Sequence, residues 1–162
     1  MRLAQTAARR IEPDFLLWLN DDVVLDPDAL SRLLQVHARV VSKNGSLSIV
    51  VGGLVDPDTG SVSYAGVVRP DRLRRARFEM VEPSDAPVRC EAMHGNLVLV
   101  PESVFRRLDG FDGAYRHAMS DFDFGLRATA QGCGVWLAPG TFGACRRDHD
   151  DQPWIGSSGS VL

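Results

Sequence analysis

Asp14-Phe-Leu-Leu-Trp-Leu-Asn-Asp-Asp22 is an unbroken apolar run that stops abruptly on an amide and two carboxylates. Such a run suits a parallel strand buried on both faces. The polar groups at its end would then arrive at the rim of a sheet. In open α/β sheets the ligand crevice lies beyond the carboxyl ends of the strands, so Asn20, Asp21 and Asp22 stand where chemistry is expected. A helix follows, with Asp26 predicted to cap it and Pro27 to fill its first position. Leu30, Leu33, Leu34, His37 and Val41 recur at helical spacing until Asn44-Gly45 ends the pattern. Residues 47–54 predict a second buried strand.

Outward from this unit the pattern is less regular. Residues 2–11 predict a helix carrying Leu3, Ala7 and Ile11 on one stripe, closed by Pro13. Asp56-Pro-Asp-Thr-Gly60 is a turn signal, and the imperfect alternation of 62–68 completes a hairpin. Residues 69–86 are charged and irregular, as in a long surface loop. Short strands are expected at 88–91, 96–100 and 135–138, and a short helix at 101–108. Ser120 is predicted to cap a helix that runs to Gln131 and stops at Gly132. A polar tail, expected to be mobile, occupies 146–162. The order αβαβ, then short strands and helices, predicts an α/β domain over 1–145 with an open mixed sheet flanked by helices.

Composition narrows the class. The 162 residues carry a net charge of −3, which offers no global field for nucleic acid. The run Arg69, Arg72, Arg74, Arg75 and Arg77 reads first as a solvated face, and second as a local anion contact. Cys90, Cys133 and Cys145 form no Cys-x-x-Cys, so reduced thiols in a cytoplasmic protein are expected. Residues 47–55, the longest apolar stretch, are too short to span a bilayer, and the N-terminus has no signal-peptide core. A membrane-bound substrate would be met from the inner face. No Gly-x-Gly-x-x-Gly, P-loop or Gly-x-Ser-x-Gly motif is present, which argues against dinucleotide, P-loop and hydrolase chemistry.

Two acidic clusters remain. Asn20-Asp21-Asp22 suits a hard divalent ion, which takes oxygen ligands and keeps substrate phosphates in its shell; it suits equally a polar turn. In Ser120-Asp-Phe-Asp-Phe-Gly-Leu-Arg127, Asp121 falls in the first helical turn, where the macrodipole favours an anion, and would act as a base if it faced the crevice. Asp123 and Arg127, four apart, read as a helix-surface ion pair.

Taken together and in order, these segments resemble family-2 glycosyltransferases. Residues 15–30 are similar to the family's metal-binding strand end, and His94-Gly-Asn-Leu-Val-Leu-Val-Pro101 with Leu108-Asp-Gly-Phe-Asp112 to its acceptor-side strand and helix. Asp121-Phe-Asp-Phe-Gly-Leu-Arg-Ala128 is similar to its Glu-Asp-x-Asp-Leu-x-x-Arg helix start. Residues 51–60, with Tyr64 and Gly66, resemble a subgroup that builds bacterial cell-surface polysaccharides. The resemblance implies a GT-A-like fold and an inverting transfer of sugar from a nucleotide-diphosphate donor to a glycan or lipid-linked acceptor, assisted by Mg2+ or Mn2+. It implies that Asp22 ligates the metal with Asp21 or Asn20 assisting, and that Asp121 takes the acceptor's proton. It further implies that Asp123 and Arg127 order the site, and that Gly95 and Asn96 permit close approach of donor or acceptor, with His94 and His117 as acceptor contacts in nearby loops.

The pattern also departs from the family. Asn20 replaces the first Asp of the usual Asp-x-Asp, Ser120 stands where Glu is common, and His149 is the one candidate for a late metal-ligating His. One helix precedes the acidic strand where the family has a βαβ start, so a truncated domain is expected. A non-catalytic remnant or binding module is therefore the rival expectation, ahead of a nucleotidyltransferase, whose phosphate loop is missing.

Overall fold

A computed structural model of the chain describes residue 6 and residues 10–71, 77–115 and 119–147. Residues 148–162 of the tail, most of the first predicted helix, Arg72, Arg74, Arg75, His117 and His149 lie outside the described residues. Among the described residues the main sheet runs β1 (Phe15–Leu19), β9 (Leu97–Pro101), β3 (Ser48–Val55), β10 (Gly134–Ala144), β2 (Val24–Leu25), with β4 (Val62–Tyr64) on β3 and β7 (Val88–Cys90) on β10. A smaller sheet joins β6 (Glu79–Met80), β5 (Gly66–Val68) and β8 (Ala92–Met93).

The directions of the strands decide where the site can be. β10 runs parallel to β3, whereas β9 is antiparallel both to β3 and to β1. β1, β3 and β10 therefore end on one edge of the sheet, and β9 begins there. β1 is not the doubly buried parallel strand expected of its composition: it pairs antiparallel with β9 at the sheet margin, with Leu17 and Leu19 exposed.

Alternation along the central strands builds two cores, because successive side chains point to opposite faces. Ile49, Val51, Val98, Val100, Val135 and Leu137 face helices α2 (Glu102–Arg107) and α3 (Ser120–Ala130), meeting Phe105 and Phe124. Val50, Leu97, Leu99 and Phe142 face helix α1 (Ala29–Asn44) and its buried Leu33, Val36 and Val40. Fully burying one such side chain stabilises the fold by about 1.5–3 kcal/mol. Phe124 lies at the centre of an aromatic cluster, 5.1 Å from Phe111 and 6.3 Å from both Trp18 and Phe105.

Several boundaries differ from expectation. Residues 62–68 divide at Ala65 into strands of different sheets, which accounts for their broken alternation. α1 begins at Ala29 rather than Pro27, after a turn in which the Ala29 N–H donates to Asp26 O. Ser120 is the first helical residue of α3, not its cap; the residue before it, Met119, is left-handed at φ 66°. β10 continues to Ala144, six residues past the expected end, through irregular pairing around Leu137 and Thr141. None of the described helices is long and apolar enough to cross a membrane.

Candidate functional site

The loop after β1 carries Asn20, Asp21 and Asp22 out to the edge where β10 ends and β9 begins. The Asn20 N–H donates to Asn96 O at 3.1 Å, which locks this loop to the start of β9. Asp21 and Asp22 are both exposed. Asp22 Oδ2 accepts from Cys145 Sγ at 3.4 Å, and Asn96 Nδ2 donates to the same sulfur at 3.7 Å. Asn96 and Cys145 are buried, so this contact forms the inner wall behind the exposed carboxylate.

Asp121 arrives at the same turn from the other side. Its Oδ2 accepts the Gly95 N–H at 3.0 Å, and its Oδ1 accepts the Phe122 N–H at 2.9 Å. The space a Cβ would need at Gly95 is taken by the Trp18 ring and by Asp121 itself. The dipeptide Gly95-Asn96 thus touches both acidic clusters. Asp121 bonds to Gly95, and Asp22 is reached from Asn96 through Cys145.

His94 completes the turn. Its Nδ1 is 2.9 Å from Ala65 O, and its ring sits 5.5 Å from both Tyr64 and Phe122 in edge-to-face contact. Phe122 also meets Phe78 at 5.1 Å, so half-buried aromatic rings flank Asp121. Arg127 binds Asp123 through Nε at 2.7 Å, and its two terminal nitrogens donate to Leu108 O at 2.9 Å and Gly110 O at 3.1 Å. The ion pair foreseen on the helix surface is therefore part-buried, and it clamps α3 to the turn after α2.

Sequence reasoning did not foresee the place of Cys145, which it counted only as a reduced thiol. The signal was its position at the end of a strand, hidden because the strand was expected to stop at residue 138. Burial raises the Cys90 thiol to about 11 and also raises Cys133, so these two stay protonated in the core. His37, on the periodic stripe of α1, is half-buried and contacts Phe15 edge to face, and burial lowers its basicity.

No group of three or more His, Cys, Asp or Glu side chains suited to a metal ion occurs among the described residues. Mg2+ and Mn2+ at diphosphate sites keep water and phosphate oxygens in their shell and use one or two protein carboxylates. Exposed Asp22, with Asp21 beside it, fits an ion that arrives with a diphosphate.

Comparison with solved structures agrees with the GT-A-like mixed α/β sheet expected from the sequence. The chain is similar to the structure of GalNAc-T7 with UDP, GalNAc and Mn2+, at a TM-score of 0.58 and 14% identity. The match covers 85% of this chain and 28% of that one. The fold is thus GT-A-like, a glycosyltransferase fold. No family model and no curated protein matches the sequence.

Proposed function

We propose that the chain carries the acceptor side of an inverting glycosyltransferase, resembling family 2 and the enzymes of bacterial cell-surface polysaccharides. A sugar passes from a nucleotide-diphosphate donor to a hydroxyl of a glycan or lipid-linked acceptor at the cytoplasmic face of the membrane. The observation that supports this best is convergence: Asp121 bonds directly to Gly95, and Asp22, far away in sequence, is linked to the neighbouring Asn96 through the Cys145 sulfur. The similar structure of GalNAc-T7 holds UDP, GalNAc and Mn2+, which are ligands of the kind proposed here.

Each residue has a role in this reading. Asp22 holds Mg2+ or Mn2+, with Asp21 and Asn20 beside it. The ion, when bound, supplies charge neutralisation at the departing diphosphate. Asp121 accepts the proton of the acceptor hydroxyl, which then attacks the anomeric carbon in line with the leaving group and inverts it. Asp123 and Arg127 fix the start of α3, so that Asp121 keeps its place. His94 and His117 contact the acceptor, while Gly95 and Asn96 shape the floor between the two substrates.

The test is sugar transfer from UDP-sugars to glycan acceptors in the presence of Mn2+. Asp121→Asn is expected to lose about 10²–10⁴-fold in rate while still binding Mn2+ with UDP; Asp22→Ala is expected to lose that binding. Normal transfer by either variant sinks the assigned roles. One observation favours a second reading, a non-catalytic binding module: both Asp121 oxygens already accept backbone N–H groups within the chain. A wild-type chain that binds glycans but neither Mn2+ with UDP nor turns over would establish that reading.

A further inference from the structure

We propose that Cys145 is the positioning residue for Asp22, its thiol hydrogen holding the carboxylate in the orientation that receives a divalent ion. The proposal rests on the reading of Asp22 as the metal carboxylate. It follows from how three elements meet. Cys145 comes directly after β10, and its N–H donates to Val55 O at 2.9 Å, so its backbone is tied to the end of β3. Its side chain is 1% exposed, which leaves it no conformational freedom to speak of. From there Sγ reaches Asp22 Oδ2 at 3.4 Å, closer than Arg146 O at 3.7 Å.

The third element is β9. Asn96 Nδ2 donates to the same sulfur at 3.7 Å, while Asn96 O takes the N–H of Asn20, two residues before Asp22. The acidic loop is therefore held at its main chain by Asn96 and at its last carboxylate by Cys145, and Asn96 braces both. Asp22 is exposed and follows no regular element, so without the sulfur its side chain would sample several rotamers and lose that freedom on binding metal. A thiol is a weak donor, but its acceptor here is ionised, which strengthens the bond. One oxygen lone pair is satisfied from behind while the remaining ones face the solvent side, where an ion and a diphosphate would enter.

The experiment uses the purified full chain and Mn2+ with UDP, with free Mn2+ followed by its electron paramagnetic resonance signal. Cys145→Ala is expected to weaken Mn2+–UDP binding about three- to tenfold, and Cys145→Ser, which keeps a hydrogen donor, to restore most of it. A merely structural role would lower the melting temperature of both variants and would not separate them in this way. In the metal-free protein, the S–H infrared band assigned to Cys145 is expected at lower frequency than those of Cys90 and Cys133, and to lose that shift in Asp22→Ala. This second readout stands even where Cys145→Ala fails to fold.

Unchanged Mn2+–UDP binding in Cys145→Ala, or an S–H band indifferent to Asp22→Ala, overturns the proposal and leaves the donor site intact. A sulfur-to-metal absorption band on replacing Mn2+ by Co2+ also overturns it, because the sulfur would then be a ligand and not a hydrogen donor. A wild-type chain that holds no Mn2+ with UDP overturns the donor-site reading itself, and this inference with it.

Discussion

Gly95 shows how tightly the centre of the site is filled. A Cβ built there would lie 2.7 Å from Trp18 Cζ2 and 3.1 Å from Asp121 Cβ. Neither neighbour can yield freely: Trp18 is packed 4.5 Å from Phe111, and Asp121 is bonded to the Gly95 N–H itself. Gly95→Ala is therefore expected to cost about 1–3 kcal/mol, the usual range for overpacking, read as a lower midpoint in chemical denaturation. Adding Trp18→Phe should return part of the loss, because the smaller ring frees the space. An unchanged midpoint in the single variant would mean that the turn gives way easily and does not fix Asp121. At this scale the sequence was half legible. The resemblance marks Gly95 as a place where donor or acceptor comes close, whereas the groups that fill the space of a Cβ there come from β1 and α3, and nothing in His94-Gly95-Asn96 names them.

Among the elements, those with strong local signals were legible and those made by partners were not. The apolar runs of β1, β3 and β9 and the periodic stripe of α1 fixed most of the main sheet and its cover. β2, β6 and β8 are two-residue strands whose existence depends on what they pair with, and no propensity marks them. The turn after β3 was read correctly and has a further role at the rim. Asp56 Oδ1 accepts the N–H groups of Asp58 and Thr59, and its Oδ2 accepts the N–H of Arg147. These bonds, the one from Arg147 first, hold the Asp56 carboxyl below its ordinary 3.8. The charged form is thus favoured by folding, so the stability it contributes is whole above about pH 4 and is lost as pH falls through the lower folded value. Asp56→Asn should therefore be less stable than wild type at neutral pH, and the gap should close in acid. Denaturation midpoints of both proteins between about pH 3 and 7 check this; a gap independent of pH would sink the clasp.

On the scale of the whole molecule, the sheet gathers the site on one edge and leaves a strand margin open on another. The bonds from the Asn20 N–H to Asn96 O and from the Glu102 N–H to Asp14 O set the pairing phase of β1. Even-numbered residues face β9 with their backbone groups, so those of Phe15, Leu17 and Leu19 point away from it. Among the described residues no strand pairs with that side. Leu17 and Leu19 are 37% and 41% exposed, and Leu30 and Leu34 of α1 are also exposed. Among the described residues nothing pairs with this side of the run Phe-Leu-Leu-Trp-Leu, which has neither charge nor proline within it, and such an edge is a template for pairing with other chains. This is where the reading of β1 from sequence failed, and for a physical reason: composition reports that a strand wants burial on both faces, not whether neighbours provide it. The chain by itself is therefore expected to associate in a concentration-dependent way, measured by size-exclusion chromatography with light scattering. Leu17→Lys, which puts a charge beside the open edge, should shift the population to monomer while changing stability by no more than about 1 kcal/mol. Association that persists unchanged in Leu17→Lys would place the contact elsewhere on the surface, and a wild-type chain that stays monomeric at every concentration would show that β1 is protected in solution.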